Sequence, residues 1–245
     1  DKPHIKITDK MSEIWKSEIN EAGSADKAKI LSRFFKTGKG EYGEGDIFVG
    51  VTVPVNREIA KKYSEADFST IKSMLDSPIH EHRLSGLLAL VQKYKKQKNN
   101  RTDIVKFYLS QTKNINNWDL VDLSAPYILG EYLNANYDQS IIDQLSNSQS
   151  MWERRIAIVS TLTMIRKNNI DLAIKLSEKY LTDTQPLIHK ATGWILREVG
   201  KKDEKSLIDF LDKHTPIMPR TALRYAIERL DKDTRTHYIN IPRQL

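Results

Sequence analysis

Apolar residues along the chain follow a helical spacing rather than a strict alternation. Between residues 11 and 36 they recur three or four positions apart, which predicts helices that share an apolar core. The residues that carry this spacing are Ile14, Trp15, Ile19, Ile30, Leu31, Phe34 and Phe35. The same spacing resumes near residue 77 and continues almost to the end of the chain, so the pattern predicts an all-α protein.

A glycine-rich segment, residues 38–46, interrupts the helical pattern and matches G-x-G-x-x-G. A dinucleotide-binding fingerprint follows a strand and opens a helix. This segment instead follows a predicted helix and runs into an extended stretch that ends at Pro54. We therefore interpret the match as coincidental and expect no dinucleotide there.

From residue 77 onward, five short segments align with one another. Each lies near the start of an apolar helix, and a further helical stretch separates it from the next. The equivalent positions are Arg83, Asp122, Arg155, Lys190 and Arg220. Two helices per unit, repeating at roughly 30 to 40 residues, are typical of HEAT or armadillo repeats. The sequence thus predicts an α-solenoid of HEAT-like helical repeats.

The register of these repeats suggests a binding surface. Equivalent positions of a solenoid face the same way and usually line a concave face. Four of the five positions are basic, and Asp122 is the exception. We therefore expect a basic concave face that binds a phosphate backbone, with Asp122 opposite a positive group. Arg154 and Arg197 would add charge nearby.

Composition narrows the class of partner. The 245 residues carry a net charge of +7, which favours an anionic partner, with nucleic acid first. The absence of cysteine excludes disulfides and thiolate metal sites, and it fits the cytoplasm. No apolar run approaches the ~20 residues that cross a bilayer. His80 and His82 lie two residues apart and do not share a helical face, so we expect no metal site.

The most informative stretch is Asn117–Asp122. Asn117 is a favourable N-cap, and Trp118 and Asp122 would lie one turn apart on one face of the helix that follows. A carboxylate beside an indole suits a binding surface better than a core. The alternatives are that Trp118 packs in the core and that Asp122 pairs with Arg155 of a neighbouring repeat.

Three stretches, residues 118–122, 152–157 and 189–198, resemble the AlkD-type DNA alkylation-repair glycosylases. These HEAT-like-repeat proteins excise N3- and N7-alkylated purines, and the resemblance covers about residues 11–230. It implies that the functional tryptophan, aspartate and arginine of that family fall on Trp118, Asp122 and Arg155. It also implies a second functional tryptophan at Trp194 and an aromatic contact, often tyrosine, at Phe34.

The chemistry that the resemblance implies fits these residues. An alkylated purine with a positive charge leaves as a neutral base, so no strong general acid is needed. A fixed carboxylate at Asp122 would stabilise the oxocarbenium-like sugar and hold the attacking water. Trp118 and Trp194 would pack against the sugar, while Arg155 and Lys190 would hold flanking phosphates. No metal or organic cofactor is expected.

The sequence therefore predicts one domain over residues 11–230, a polar N-terminal segment 1–10 and a loose polar tail over residues 231–245. The expected partner is double-stranded DNA with alkylated purines, bound by a monomer in the cytoplasm, with no membrane and no obligate protein partner. Two other functions stay open. One is a non-catalytic HEAT-type module for damaged or structured DNA, and the other is a scaffold for RNA or an acidic protein.

Overall fold

The structure, a computed structural model, describes residues 7–244, with side chains from residue 10 onward. Most of the predicted N-terminal segment 1–10 therefore lies outside the described residues. The chain forms two compact units, a first unit up to Ser124 and a second unit from Ala125.

The first unit consists of helices and connecting loops. Its helices are α1 (Ile7–Glu21), α2 (Ala25–Phe34), α3 (Val53–Lys61), α4 (Phe68–Leu75), α5 (His80–Lys96), α6 (Arg101–Ser110) and α7 (Trp118–Asp122). Helix α5 forms the centre, and nearly all of its residues are buried. Trp15 of α1 is fully buried, stacks on Tyr63 at 4.4 Å and donates from its indole N–H to Ser85 Oγ at 2.8 Å.

Glu81 in the first turn of α5 fixes the loop that follows α2. Its carboxylate accepts hydrogen bonds from the backbone N–H groups of Val49, Gly50 and Val51, at 2.7 to 3.2 Å. Gly50 has a φ of +85°, and a Cβ there would lie 2.1 Å from the carbonyl oxygen of Ser24. Only glycine fits this position, so the loop has one defined course across α2.

The second unit is also helical. It begins with a π-helical turn (Pro126–Gly130) and contains α8 (Glu131–Ala135), α9 (Gln139–Ser146), α10 (Met151–Arg166), α11 (Asp171–Lys179), α12 (Pro186–Lys202), α13 (Glu204–His214), α14 (Arg220–Ile227) and α15 (Lys232–Ile239). Helix α10 packs on α12, and α12 packs on α14. These three helices carry the predicted repeat positions Arg155, Lys190 and Arg220, so their order fits an α-solenoid.

The described residues contain no strand, only an isolated parallel bridge between Ile47 and Ile79, and the predicted all-α class is confirmed. Among residues 7–244, no helix combines the length and the apolarity that a transmembrane span requires.

The expectation of a loose tail after residue 230 is corrected. Residues 232–239 form α15, and Tyr238 on that helix is only 3% exposed. The Tyr238 hydroxyl donates to Asp212 Oδ1 at 2.6 Å, while Arg220 donates to the carbonyl oxygen of Ile239 at 3.1 Å. The segment is polar overall, so its composition gave no indication that Tyr238 anchors this helix in the core.

Candidate active site

Helix α7 presents the predicted pair of site residues. It starts at Trp118, whose backbone N–H donates to the side-chain oxygen of Asn117 at 2.8 Å, so the predicted cap is confirmed. Leu120 and Val121 are fully buried and hold the helix on the first unit's core. Trp118 and Asp122 are half-buried, one turn apart at the edge of that core.

Trp118 and Asp122 line the same cavity, which has a volume of about 300 Å³. The wall is mostly apolar, and all of its residues belong to the first unit. Its principal members are Leu31, Phe34, Phe35, Phe48, Trp118 and Asp122. The structure therefore brings together three of the predicted site residues, Trp118, Asp122 and Phe34. A concave apolar site with one half-buried carboxylate is well suited to a ligand that is both flat and cationic.

A stack of aromatic rings fixes the plane of the Trp118 indole. Phe35 lies against Trp118 with centroids 5.0 Å apart and planes inclined by 22°, and it stacks on Phe48 at 5.1 Å. Phe34 meets Phe35 and Trp118 edge-on, at 5.2 and 5.8 Å. Phe35 and Phe48 are buried, whereas Phe34 is 60% exposed. The exposed ring leaves Phe34 available to a ligand, and the buried rings serve as its support.

An ionic network lies beside these rings. His80, the first residue of α5, contacts Asp46 Oδ2 through Nδ1 at 2.6 Å and Asp119 Oδ2 through Nε2 at 2.7 Å. Arg83 donates to the second oxygen of Asp46 at 2.9 Å. The side chains of all four residues are at most 8% exposed. The His80 ring also stacks on Phe48, with centroids 4.4 Å apart.

The network sets the charge of its members. Burial by itself lowers the pKa of His80, but the charges of Asp119 and Asp46 and their hydrogen bonds outweigh it and raise that pKa to about 9. Burial would likewise raise the pKa of Asp46, but His80 and Arg83 hold it below its ordinary value. Near neutral pH the network therefore contains an imidazolium between two carboxylates.

His82 has the opposite environment, although it lies only two residues away. Its Nδ1 lies 2.8 Å from the hydroxyl oxygen of Ser77, and its Nε2 lies 2.8 Å from Asn20 Oδ1. Burial and the charge of Lys16 lower the pKa of His82 to about 4. The two histidines therefore contact separate sets of partners.

Arg83 does not fit the expectation of a phosphate contact. Its side chain is buried, and its guanidinium also donates to the carbonyl oxygens of Ser77 and Pro78 and to Asn116 Oδ1. These bonds connect the start of α5 to the loop before α7. The prediction is corrected, because Arg83 organises the interior of the first unit.

Three arginines of the second unit are likewise engaged by their own unit. Arg154 binds the carboxylate of Asp183 through Nε, at 2.8 Å, and Nη2, and it donates from Nη1 to two backbone carbonyl oxygens. Arg197 pairs with Glu228, and Arg220 holds α15 as described. The hydrogen bonds of Arg154 lie inside the unit, and its contact to DNA stays a prediction.

The remaining predicted residues differ in accessibility. Arg155 on α10 is buried, and its Nη1 donates to the carbonyl oxygen of Leu187 at 2.6 Å. Lys190 and Trp194 lie four residues apart on α12 and share a face of that helix. Lys190 is exposed and Trp194 is half-buried. Of this group, Lys190 is the residue best placed to meet a ligand from solvent.

Sequence reasoning missed four residues that line the cavity, Phe35, Phe48, His80 and Asp119, and also Asp46, which binds His80. Asp46 ends the glycine-rich segment that we set aside as a coincidental match, and His80 was considered only as a metal ligand. For the two aspartates the signal is chemical, since a buried histidine needs nearby hydrogen-bond partners. Those partners come from positions 34 and 39 residues away, and no local pattern marks them.

A comparison with protein families now decides the assignment. The family model described as "DNA alkylation repair enzyme" matches residues 15–230. The chain belongs to the DNA alkylation repair enzyme family. This confirms the resemblance found in the sequence, and it supports a role in the repair of alkylated DNA.

A solved structure supports the fold of this DNA alkylation repair family member. The chain is similar to a structure described as a predicted DNA alkylation repair enzyme from Enterococcus faecalis. The TM-score is 0.69 at 19% identity, over 86% of this chain and 97% of that one. At this identity the likeness shows the fold alone. No curated protein matches the chain.

Proposed function

We propose that this family member is a monofunctional DNA glycosylase. It would hydrolyse the N-glycosidic bond of N3- and N7-alkylated, positively charged purines in duplex DNA, leaving the free base and an abasic site. The observation that carries the proposal is the joint presence of Trp118 and Asp122 on one wall of the aromatic cavity.

Asp122 has the central role in the proposed reaction. The bond between C1′ and the purine breaks with its electron pair going to the purine, which thereby becomes neutral. The sugar develops positive charge as this bond lengthens, and a fixed carboxylate stabilises that charge. The oxygen of a water positioned by Asp122 then bonds to C1′, and the water's proton passes by way of the carboxylate to solvent. Alkylation has already activated the leaving group, so the chain supplies no strong acid.

Trp118 and Phe34 would orient the nucleotide. The indole plane is fixed by Phe35, so it presents a π-face to a cationic sugar or base at little conformational cost. Phe34 offers an exposed ring beside it. Aromatic faces attract cations by roughly 0.5 to 2 kcal/mol, a contribution that grows as the positive charge of the transition state develops.

In the second unit, Trp194 and Lys190 remain proposed site residues, Lys190 as a contact to a phosphate. Because Lys190 is exposed, it is the strongest candidate among the proposed phosphate contacts. Arg155 stays in the proposal as a flanking contact, although its burial makes it the weaker candidate. Arg197 and Arg220 stay in the proposal through their positive charge, although one nitrogen of each already has a partner within the second unit.

A duplex with one N7-methylguanine tests the proposal. We expect the wild-type protein to create an alkali-labile site at that base and to release the free base. Asp122→Asn should lose excision while it keeps its affinity for the duplex. Asp103→Asn, on the exposed first turn of α6, is the matched control and should behave as the wild type.

Two results would favour other functions. Duplex binding without excision by the wild type would indicate the non-catalytic DNA-binding module. No affinity for duplex DNA at low salt would leave the scaffold for RNA or an acidic protein.

A further inference from the structure

The hydrogen-bond partners of His80 determine the protonation state of its imidazole ring. A neutral imidazole has one N–H, whereas both ring nitrogens of His80 lie within hydrogen-bond distance of carboxylate oxygens. An ionised carboxylate only accepts hydrogen bonds, so Asp46 and Asp119 together call for two donors. The doubly protonated ring satisfies both. The geometry therefore indicates an imidazolium that connects the loop at Asp46 with helix α7 at Asp119.

Asp119 depends on this connection more than any other member of the network. The residue is 6% exposed, and its Oδ1 has no hydrogen-bond partner among the described residues. Its other oxygen is held by His80. A buried carboxylate without a partner is strongly unfavourable, so loss of the imidazolium would drive Asp119 towards solvent.

A displacement of Asp119 would move the candidate site directly. Asp119 adjoins Trp118 in the chain and precedes Asp122 by three residues, all within the five-residue helix α7. A helix of this length has too few internal hydrogen bonds to maintain its orientation alone. His80 also contacts the aromatic stack that supports Trp118. Its ring centroid lies 4.4 Å from that of Phe48 and 5.0 Å from that of Phe35.

We propose that His80 is a positioning residue of the active site: by bridging Asp46 and Asp119 it fixes the placement of Trp118 and Asp122 on the cavity wall. The inference rests on the proposed glycosylase function for its catalytic consequence. The structural part of the inference, the coupling between the His80 ring and α7, does not depend on any enzymatic activity.

The charged groups around the His80 ring determine the pH range over which the bridge between Asp46 and Asp119 persists. Asp46 faces it from the loop, and Asp119 faces it from α7. From α5 itself, Arg83 binds the far side of Asp46, and Glu81 is held by backbone N–H groups. Asp122 lies on the same cavity wall. When the ring loses its proton, one carboxylate loses its partner while the negative charge near Asp122 increases. Both changes disturb the site at high pH.

Nuclear magnetic resonance of the imidazole and indole groups tests the bridge without any reaction. In protein labelled with ¹⁵N at histidine and tryptophan, we expect the His80 ring to be doubly protonated at pH 7.5 and to titrate near pH 9. The Trp118 indole signal should shift with the same midpoint. The Trp15 indole, bound to Ser85, is the internal control and should not follow. A ring that is neutral at pH 7.5, or a Trp118 signal that ignores its titration, would overturn the proposal.

Two variants extend the test. His80→Gln keeps one donor but no charge, so the Trp118 signal should move at pH 7.5 while the Trp15 signal stays. Single-turnover excision should fall by about 100-fold, with duplex affinity changed less than about threefold, because the loss is one of positioning. Equal losses of rate and affinity would contradict the assignment.

If His80→Gln does not fold, the variant Asp119→Asn tests the bridge instead. It removes one of the two carboxylates, so the His80 midpoint should fall and the Trp118 signal should shift. An unchanged midpoint would refute the bridge. If the wild type excises nothing, the proposed function fails, but the two titrations still confirm or refute the positioning role.

Discussion

The first unit places Trp118 and Asp122 on a five-residue helix. The second unit places Arg155, Lys190 and Trp194 on helices of 16 and 17 residues. Helix α7 is held by an N-cap, two buried aliphatic side chains, a ring stack and an ionic bridge. Helices α10 and α12 are held along much of their length by apolar packing. The repeat alignment treats these positions as equivalent, but the structure holds them by different forces.

This difference changes what a charged residue does at equivalent positions. Arg83 in the first unit completes a buried network of opposite charges. Lys190 in the second unit is exposed on a helix that its apolar face already secures. The comparison implies that stability and site geometry are coupled in the first unit, and that they are largely separate in the second.

The largest effect that separates the two units should come from their arginines. Arg83→Ala leaves Asp46 with one partner fewer in a buried site, and such losses typically reduce the free energy of unfolding by about 3 to 5 kcal/mol. Arg197→Ala removes a pair whose glutamate is 60% exposed, and the loss should be about 0 to 1 kcal/mol. Urea unfolding of both variants measures the contrast. Similar losses would remove the distinction between the units.

The pH dependence of stability should show a smaller effect from the same network. The pKa of His80 in the folded protein, about 9, lies above its ordinary value of 6.5. Its stabilisation is therefore complete below about pH 6.5 and lost as the pH rises through 9. The pKa of His82 is lowered to about 4, so its contribution is lost in the opposite direction, as the pH falls from 6.5 towards 4.

Urea midpoints between pH 7 and 10 test the His80 contribution. The wild type should lose stability over this range, and His80→Gln should lose less because it has no ring to deprotonate. Parallel curves for the two proteins would show that His80 does not carry the dependence.

Trp118→Ala should slow excision more than it weakens binding. The indole is proposed to act on the positive charge of the transition state, so a rate loss of about 10-fold is expected from an aromatic–cation contribution of roughly 1 to 2 kcal/mol. Trp152→Ala in the second unit is the comparison, since no catalytic role is proposed for it. Single-turnover rates and dissociation constants, measured on one lesion duplex, give both quantities.

The smallest effect is expected at Lys190. Lys190→Ala should weaken duplex binding about equally for lesion and normal DNA and reduce the slope of log affinity against log salt by about 1. Lys213→Ala, an exposed lysine of α13, is the control and should leave the slope unchanged. An effect confined to lesion DNA would mean that Lys190 does not act as a phosphate contact.

Local sequence features predicted the parts of the molecule that depend on local interactions. The helical spacing predicted the all-α fold, and the Asn117 cap together with the four-residue interval from Trp118 to Asp122 predicted the face that lines the cavity. Which arginines form ion pairs within the protein could not be predicted, because Arg83 and Arg154 bind carboxylates that lie 37 and 29 residues away in the sequence. Long-range partners decide whether a basic side chain is structural or available to DNA.

The central claim is that Asp122 stabilises a sugar cation beside the Trp118 indole. The most direct measurement is the single-turnover release of free 7-methylguanine from a defined duplex, with dissociation constants measured in parallel. The account predicts release by the wild type and none by Asp122→Asn at nearly unchanged affinity. Undiminished release by Asp122→Asn would contradict it.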